Sequence, residues 1–278
     1  MSANPTAPIM FYDIIMRPPV EENACSPNPW KSRYALNFKH LPYTTTWVHL
    51  PDIANVRKSL GVPACRKFAD GTDFYTLPII VDPSTDAKVG DSLEIAIYLQ
   101  ETYPDTGDGD LFPEQKLDFT VGQEFSLLIP LTAIPEGCPY PEYARFNAHV
   151  DAAFTAHVGL GVAGMPWHPE SEEASRAEFV HRAGVQKFED FIVEGEARTK
   201  LKESFRTTLR GLADLFQRDT SGPFLMGKKM SYADIIVGAW LKMLSVTLSK
   251  DEWEELRGWH SGVFAQLHDS LQKYAEVK

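Results

Sequence analysis

The sequence predicts a molecule in two parts, a mixed α/β half followed by an all-helical half, and three observations carry that expectation. Short apolar runs broken by Pro, Gly and Asp fill residues 9–90. Long segments with apolar residues at helical spacing fill the remainder. Between them, residues 103–113 (YPDTGDGDLFP) have no periodicity and the composition of a linker. The boundaries expected on this basis are 1–103, a linker over 104–113, and 114–278.

Residues 9–15 (IMFYDII) read as a buried strand, 30–38 as a helix, 43–50 as an aromatic, β-branched strand and 52–60 as a second helix. Residues 79–82 and 88–90 are two further strands, and 93–99 return to helical spacing. The resulting order, β-α-β-α-β-β-α, is that of the thioredoxin-like α/β fold. Its first β-α-β requires a crossover and therefore parallel strands, whereas residues 79–90 are short enough for a hairpin, so the four-stranded sheet is expected to be mixed. Beyond the linker, helices are expected over 114–133, 142–158, 171–193, 201–219 and 232–248. The run IIVGAWLKMLSVTL is apolar nearly all round, as a core helix is. Ser231 with Asp234 three places on reads as a capping box, flanked by Met230 and Ile235 as a hydrophobic staple.

Composition excludes several classes of function. With 278 residues, 44% of them hydrophobic, the chain has material for a large core and is not a disordered tail. A net charge of -11 and a pI near 5.2 argue against nucleic acid, which would be repelled. Cys25, Cys65 and Cys138 are odd in number and far apart, so neither a disulfide framework nor a paired-cysteine metal site is expected. His149, His157 and His168 show no ligand spacing either, and no metal is expected. No secretory leader pattern opens the chain, and no window approaches 18 uninterrupted apolar residues. The expectation is a soluble, cytoplasmic protein with no membrane partner.

Three short segments carry candidate chemistry. In 23–33 (NACSPNPWKSR), Ser26 before Pro27 has the form of an N-cap followed by proline at the first helical position. Pro27 and Pro29 lack N–H groups, so the first turn should leave those of Asn28 and Trp30 free, next to the Ser26 hydroxyl and the positive end of the helix dipole. Such a seat suits a thiolate. Lowering a thiol pKa by about two units takes roughly 2.7 kcal/mol, most of which one charge-assisted hydrogen bond and a helix N-terminus supply. In 75–82 (YTLPIIVD), Pro78 should mark the start of the strand. A cis Leu77–Pro78 bond would leave the Leu77 N–H and C=O free for a peptide-like ligand. In 90–100 (GDSLEIAIYLQ), Asp91 and Ser92 open a helix after a strand, placed to hold the ammonium and carboxylate of an amino-acid head group. For isolated Ser-Pro and Asp-Ser pairs, plain helix capping is the commoner explanation.

Taken together, SPNPWKSRYAL, TLPIIV, DSLEIAIYL and the SYAD capping box resemble the glutathione transferase superfamily over nearly the whole chain. SPNPWKSRYALNFKHLPY and LPIIVD followed by DS are most similar to fungal-specific class A transferases and bacterial lignin β-etherases. The resemblance implies the glutathione transferase fold, glutathione as co-substrate and a homodimer. It implies that Ser26, with Asn28 as second candidate, faces the glutathione sulfur. Leu77 with Pro78 would pair with the cysteinyl backbone, and Asp91 with Ser92 would hold the γ-glutamyl group. Cys25 is the alternative to Ser26, since some thioredoxin-like relatives perform thiol exchange from this position; Ser26 is preferred because it directly precedes the proline. Trp30, Phe125, Tyr143 and Trp167 are expected to wall a hydrophobic acceptor site for flat aromatic ligands, while Trp240 is expected in the core. The implied activity is conjugation, ether cleavage or deglutathionylation of aromatic or phenolic compounds, in the manner of a detoxification enzyme. The alternatives are a ligandin-like binding protein with little turnover and a scaffold that keeps only the fold.

Overall fold

In the computed structural model, residues 7–122, 127, 129–132, 134 and 136–278 are described. The first half is built on strands β1 Ile9–Ile14, β2 Tyr43–Val48, β3 Ile79–Asp82 and β4 Ala87–Gly90, in the spatial order β2-β1-β3-β4. β1 and β2 are parallel, with Ile9 opposite Tyr43 and Ile14 opposite Val48. The pairs β1–β3 and β3–β4 are antiparallel, so the sheet is mixed, as the crossover and hairpin lengths require. Helices α1 Pro27–Phe38, α2 Ile53–Leu60 and α3 Ser92–Thr102 complete the order. A two-stranded hairpin, Arg66–Lys67 with Asp73–Phe74, lies in the stretch before Pro78 and was not anticipated.

The second half contains α4 Pro141–Thr155, α5 Glu172–Ala183, α6 Gly195–Thr208, α7 Arg210–Phe216, α8 Tyr232–Thr247, α9 Lys250–Arg257 and α10 Val263–Leu271. The expected helix over 171–193 ends at Ala183, where Gly184 takes the left-handed conformation (φ 66°). A helix over 114–133 is not found among the described residues. Residues 114–122 are irregular, and Leu117 and Phe119 are buried while Asp118 and Thr120 are exposed. That alternation is the period of extended chain, not of a helix. Residues 103–113 are pinned rather than loose. The Lys39 ammonium donates to the Pro104 and Gly109 carbonyls. At Gly107 (φ 74°) a Cβ would stand 2.1 Å from the Phe38 carbonyl oxygen, which only glycine avoids.

Helix α1 is the keystone. It lies between the sheet and α8, and every residue from Pro29 to Phe38 is buried, charged ones included. The Arg33 guanidinium donates to Asp13 at 2.6 Å and to the Thr45 hydroxyl at 3.1 Å, and it sits among the rings of Phe11, Trp30, Tyr43 and Trp47 at 4.9–5.9 Å, where a desolvated cation gains from the π-faces. Helix α8 is apolar nearly all round, and its capping box is formed: Ser231 N–H donates to Asp234 Oδ2 at 2.8 Å.

Asp234 gives stability a specific pH dependence. Burial raises its pKa to about 6, although the Leu225 and Ser231 N–H groups pull it down. An unfolded aspartate titrates near 3.9, so the folded chain holds this proton more tightly. Its contribution is full below about pH 4 and falls by roughly 3 kcal/mol as the pH rises through 6. Urea denaturation of wild type and Asp234→Asn from about pH 4 to about pH 6.5 checks this. The non-titrating variant should show the flatter profile, and parallel profiles would refute the assignment.

Candidate functional site

The chain between β1 and α1 is folded back on itself by the Trp30 indole, whose Nε1–H donates to the Ala24 carbonyl at 2.7 Å. This bond fixes residues 24–26 against the start of the helix. Ser26 occupies the N-cap position (φ -63°, ψ 123°), yet its hydroxyl makes no capping bond. The Trp30 N–H, expected to be free, donates to the Ser26 carbonyl at 3.1 Å. Residue 30 is four places past the cap, where the regular helix ladder begins. With prolines on both sides, Asn28 therefore supplies the one free N–H of this turn among the described residues. It lies beside the Ser26 hydroxyl at the positive end of the helix dipole.

Ser26 and Asn28 are half-buried in the wall of a cavity of about 160 Å³. Its other walls come from both halves of the chain. Ile14, Met16 and Leu50 face Trp167, Phe179, Trp240 and Met243, an apolar enclosure with aromatic faces. Trp167 packs edge-on to Phe179 (5.7 Å), and Trp240 stacks on Phe154 (5.3 Å). Cys25 also lines this cavity but is buried. Desolvation, reinforced by the Asp13 carboxylate and opposed by the Lys242 ammonium, pushes its thiol up to about 12. A thiol so held stays protonated and is a poor nucleophile.

The expected acceptor residues separate. Trp167 is in the cavity wall. Trp30 is core instead, its indole bonded to Ala24 and tilted against the Tyr34 ring at 5.0 Å. Tyr143 is core as well, its hydroxyl donating to the Pro113 carbonyl at 2.7 Å. Both are drawn inward because each polar end has a buried partner. Phe125 lies outside the described residues. Trp240 is in the core as expected and also lines the cavity, its Nε1–H donating to Asp151 at 2.7 Å.

Leu77–Pro78 is a cis bond, and among the described residues neither the N–H nor the C=O of Leu77 is hydrogen-bonded. Leu77 packs with Leu50 and Trp167 of the cavity wall. Asp91 caps α3 in the left-handed region (φ 112°), its Oδ1 accepting from the Leu93 N–H at 2.9 Å. Its Oδ2 accepts from the Thr132 hydroxyl at 3.0 Å, and Thr132 in turn accepts from Arg66 Nε at 2.8 Å. Ser92 follows, buried at the first position of the helix. Asp91 and Thr132 line a second cavity, and Arg66 lines the first, so this hydrogen-bonded chain joins the two walls.

Behind the first cavity lies a network that the sequence did not announce. The fully buried Lys31 ammonium reaches Asp151 Oδ1 at 2.5 Å and Asn147 Oδ1 at 2.8 Å. Burial pulls the Lys31 pKa down and Asp151 pushes it back. Asp151 also accepts from Trp240, so one carboxylate in the cavity wall ties α1, α4 and α8 together.

Comparison with known proteins places these features in context. Residues 25–102 match the family described as glutathione S-transferase, N-terminal domain, and residues 150–274 match glutathione S-transferase, C-terminal domain. The chain is 30% identical, over 98% of its length and 93% of the relative, to the glutathione S-transferase-like protein ustS of Aspergillus flavus. Its structure is similar to that of the glutathione S-transferase CsGST63524 of Ceriporiopsis subvermispora in complex with glutathione. The TM-score is 0.74 and the identity 34%, covering 98% of this chain and 99% of the other. Glutathione transferase GSTFuA3 of Phanerochaete chrysosporium is similar too, at TM-score 0.74 and 30% identity, with 98% and 99% covered. Among the described residues no helix is long and apolar enough to cross a membrane.

Proposed function

Because this chain belongs to the glutathione S-transferase family, we propose that it is a Ser-type glutathione transferase whose second substrate is a hydrophobic aromatic or phenolic compound. The carrying observation is one cavity that joins an uncommitted hydroxyl and N–H, on Ser26 and Asn28, to the rings of Trp167, Phe179 and Trp240. In this reading the Leu77 amide groups pair with the cysteinyl backbone of glutathione, and Asp91 with Ser92 holds its γ-glutamyl group. The Ser26 hydroxyl and Asn28 N–H donate to the sulfur, favouring its ionised form. The thiolate then attacks an electrophilic carbon. A C–S bond forms, and the leaving group departs with its bonding electrons, which covers both conjugation and β-aryl ether cleavage.

Glutathione titration by calorimetry, followed by an assay with an aromatic electrophile, tests the proposal. Binding with glutathione-dependent turnover is the expected result, and absence of glutathione binding overturns it. Aromatic ligands that stabilise the fold without any turnover would favour the ligandin-like alternative, for which the apolar cavity wall is equally suited. A homodimer and a cytoplasmic location belong to the same proposal, and sedimentation and cell fractionation check them.

A further inference from the structure

Outside the cavity, three metal-ligating side chains converge where the two halves of the chain meet. His49 stands just after β2, while His168 and Glu170 lie in the turn before α5. One ligand atom from each falls within 4.8 Å of the others. The two imidazoles are edge-to-face, with ring centroids 5.2 Å apart. His49 Nδ1 is 2.7 Å from the Ser171 hydroxyl, an outer partner that fixes the ring and leaves its Nε2 uncommitted. His168 Nδ1 is buried and has no hydrogen-bond partner, a state that polar groups in a folded interior seldom keep.

We propose that His49, His168 and Glu170 form a binding site for a divalent metal of zinc type, which clasps the two halves beside the first cavity. Two neutral imidazoles and a carboxylate are borderline donors that suit Zn²⁺ better than Ca²⁺ or Mg²⁺, which prefer all-oxygen shells. Tetrahedral zinc with ligand bonds of about 2.0–2.1 Å sets its ligand atoms roughly 3.3–3.5 Å apart. The cluster must therefore tighten by up to about 1.5 Å, and exposed Glu170 has room to rotate. Three protein ligands leave the fourth tetrahedral position to water.

The position gives the site a consequence. His49 is followed by Leu50, and His168 is preceded by Trp167, both in the cavity wall. Leu50 and Trp167 also pack in one apolar cluster with Leu77. A metal holding the two histidines would hold the opposite walls in register without touching the reacting atoms.

The test uses ZnCl₂ with the purified full-length chain, freed of metal by dialysis against chelator. Saturating zinc is expected to raise the wild-type Tm by roughly 5 °C, and calorimetry to show one strong site. His168→Gln and Glu170→Gln should each weaken zinc affinity by at least about tenfold, since each removes a ligand and even an outer partner of a ligand is worth about 10- to 100-fold. Glu170 is exposed, so its variant should fold regardless. Glutathione affinity without zinc should be unchanged in Glu170→Gln, which separates this proposal from the reading of the glutathione site. Absence of zinc binding by the wild type, or equal affinity in wild type and both variants, overturns the proposal.

Discussion

Ser26→Ala is expected to lower glutathione-dependent kcat/KM by about 10- to 100-fold, the effect of removing one charge-assisted hydrogen bond of about 1.5–3 kcal/mol. The sign of the accompanying pH effect follows from the same bond. A donor to the sulfur favours thiolate over thiol, so losing it raises the pKa of bound glutathione. The acid limb of the pH–rate profile should therefore move up by about one to two units. Stability should hardly change, because the Ser26 hydroxyl makes no capping bond. This is the reverse of what an ordinary N-cap serine would show. Stopped assays over a pH range, with a melting curve of the same preparation, distinguish the two roles. An unshifted profile with undiminished rate removes Ser26 from the sulfur. A lowered Tm with an unshifted profile makes it a structural cap. Asn28→Ala retains its backbone N–H and should cost less.

What the sequence discloses here is what lies within a single turn or a single strand. Ser26 and Asn28 share a turn, so their joint presence in one wall was legible from SPNP alone. The hairpin of β3 and β4 followed from its length, and the burial of α8 from its unbroken apolar run. What stayed hidden depends on partners far along the chain. Nothing near Lys31 indicates that its ammonium is buried, because its counter-charge, Asp151, is 120 positions away. His49 and His168 meet only when β2 and the turn before α5 are brought together. Over 114–122, the continuously described part of the helix expected at 114–133, the helix is absent for a local reason that was readable. Leu117 and Phe119 are two apart, and that spacing fits an extended strap better than a helix. Trp240 is in the core, as the apolar helix predicts, but the sequence could not say that it also lines a cavity.

The second large effect is on stability. Asp151→Ala leaves the Lys31 ammonium, wholly enclosed, with the Asn147 side-chain oxygen as its one remaining hydrogen-bond partner among the described residues, and takes the acceptor from the Trp240 indole. Breaking a buried pair by removing one partner costs about 3–5 kcal/mol, because a charge remains in low dielectric. At roughly 2–4 °C per kcal/mol, the Tm should fall by about 6–20 °C. The pair itself need not be a net source of stability, since its Coulomb gain is set against two desolvations. Lys31→Met with Asp151→Leu should therefore recover much of the loss, because apolar side chains of similar volume leave no orphaned charge. Recovery of the fold need not bring recovery of activity. Asp151 also orients Trp240 and tethers α1, whose N-terminus carries Ser26 and Asn28, so the double variant should regain Tm while keeping a raised KM for the aromatic substrate. A single variant as stable as wild type, or a double variant no more stable than the single, would show that Lys31 has another way of shedding its charge.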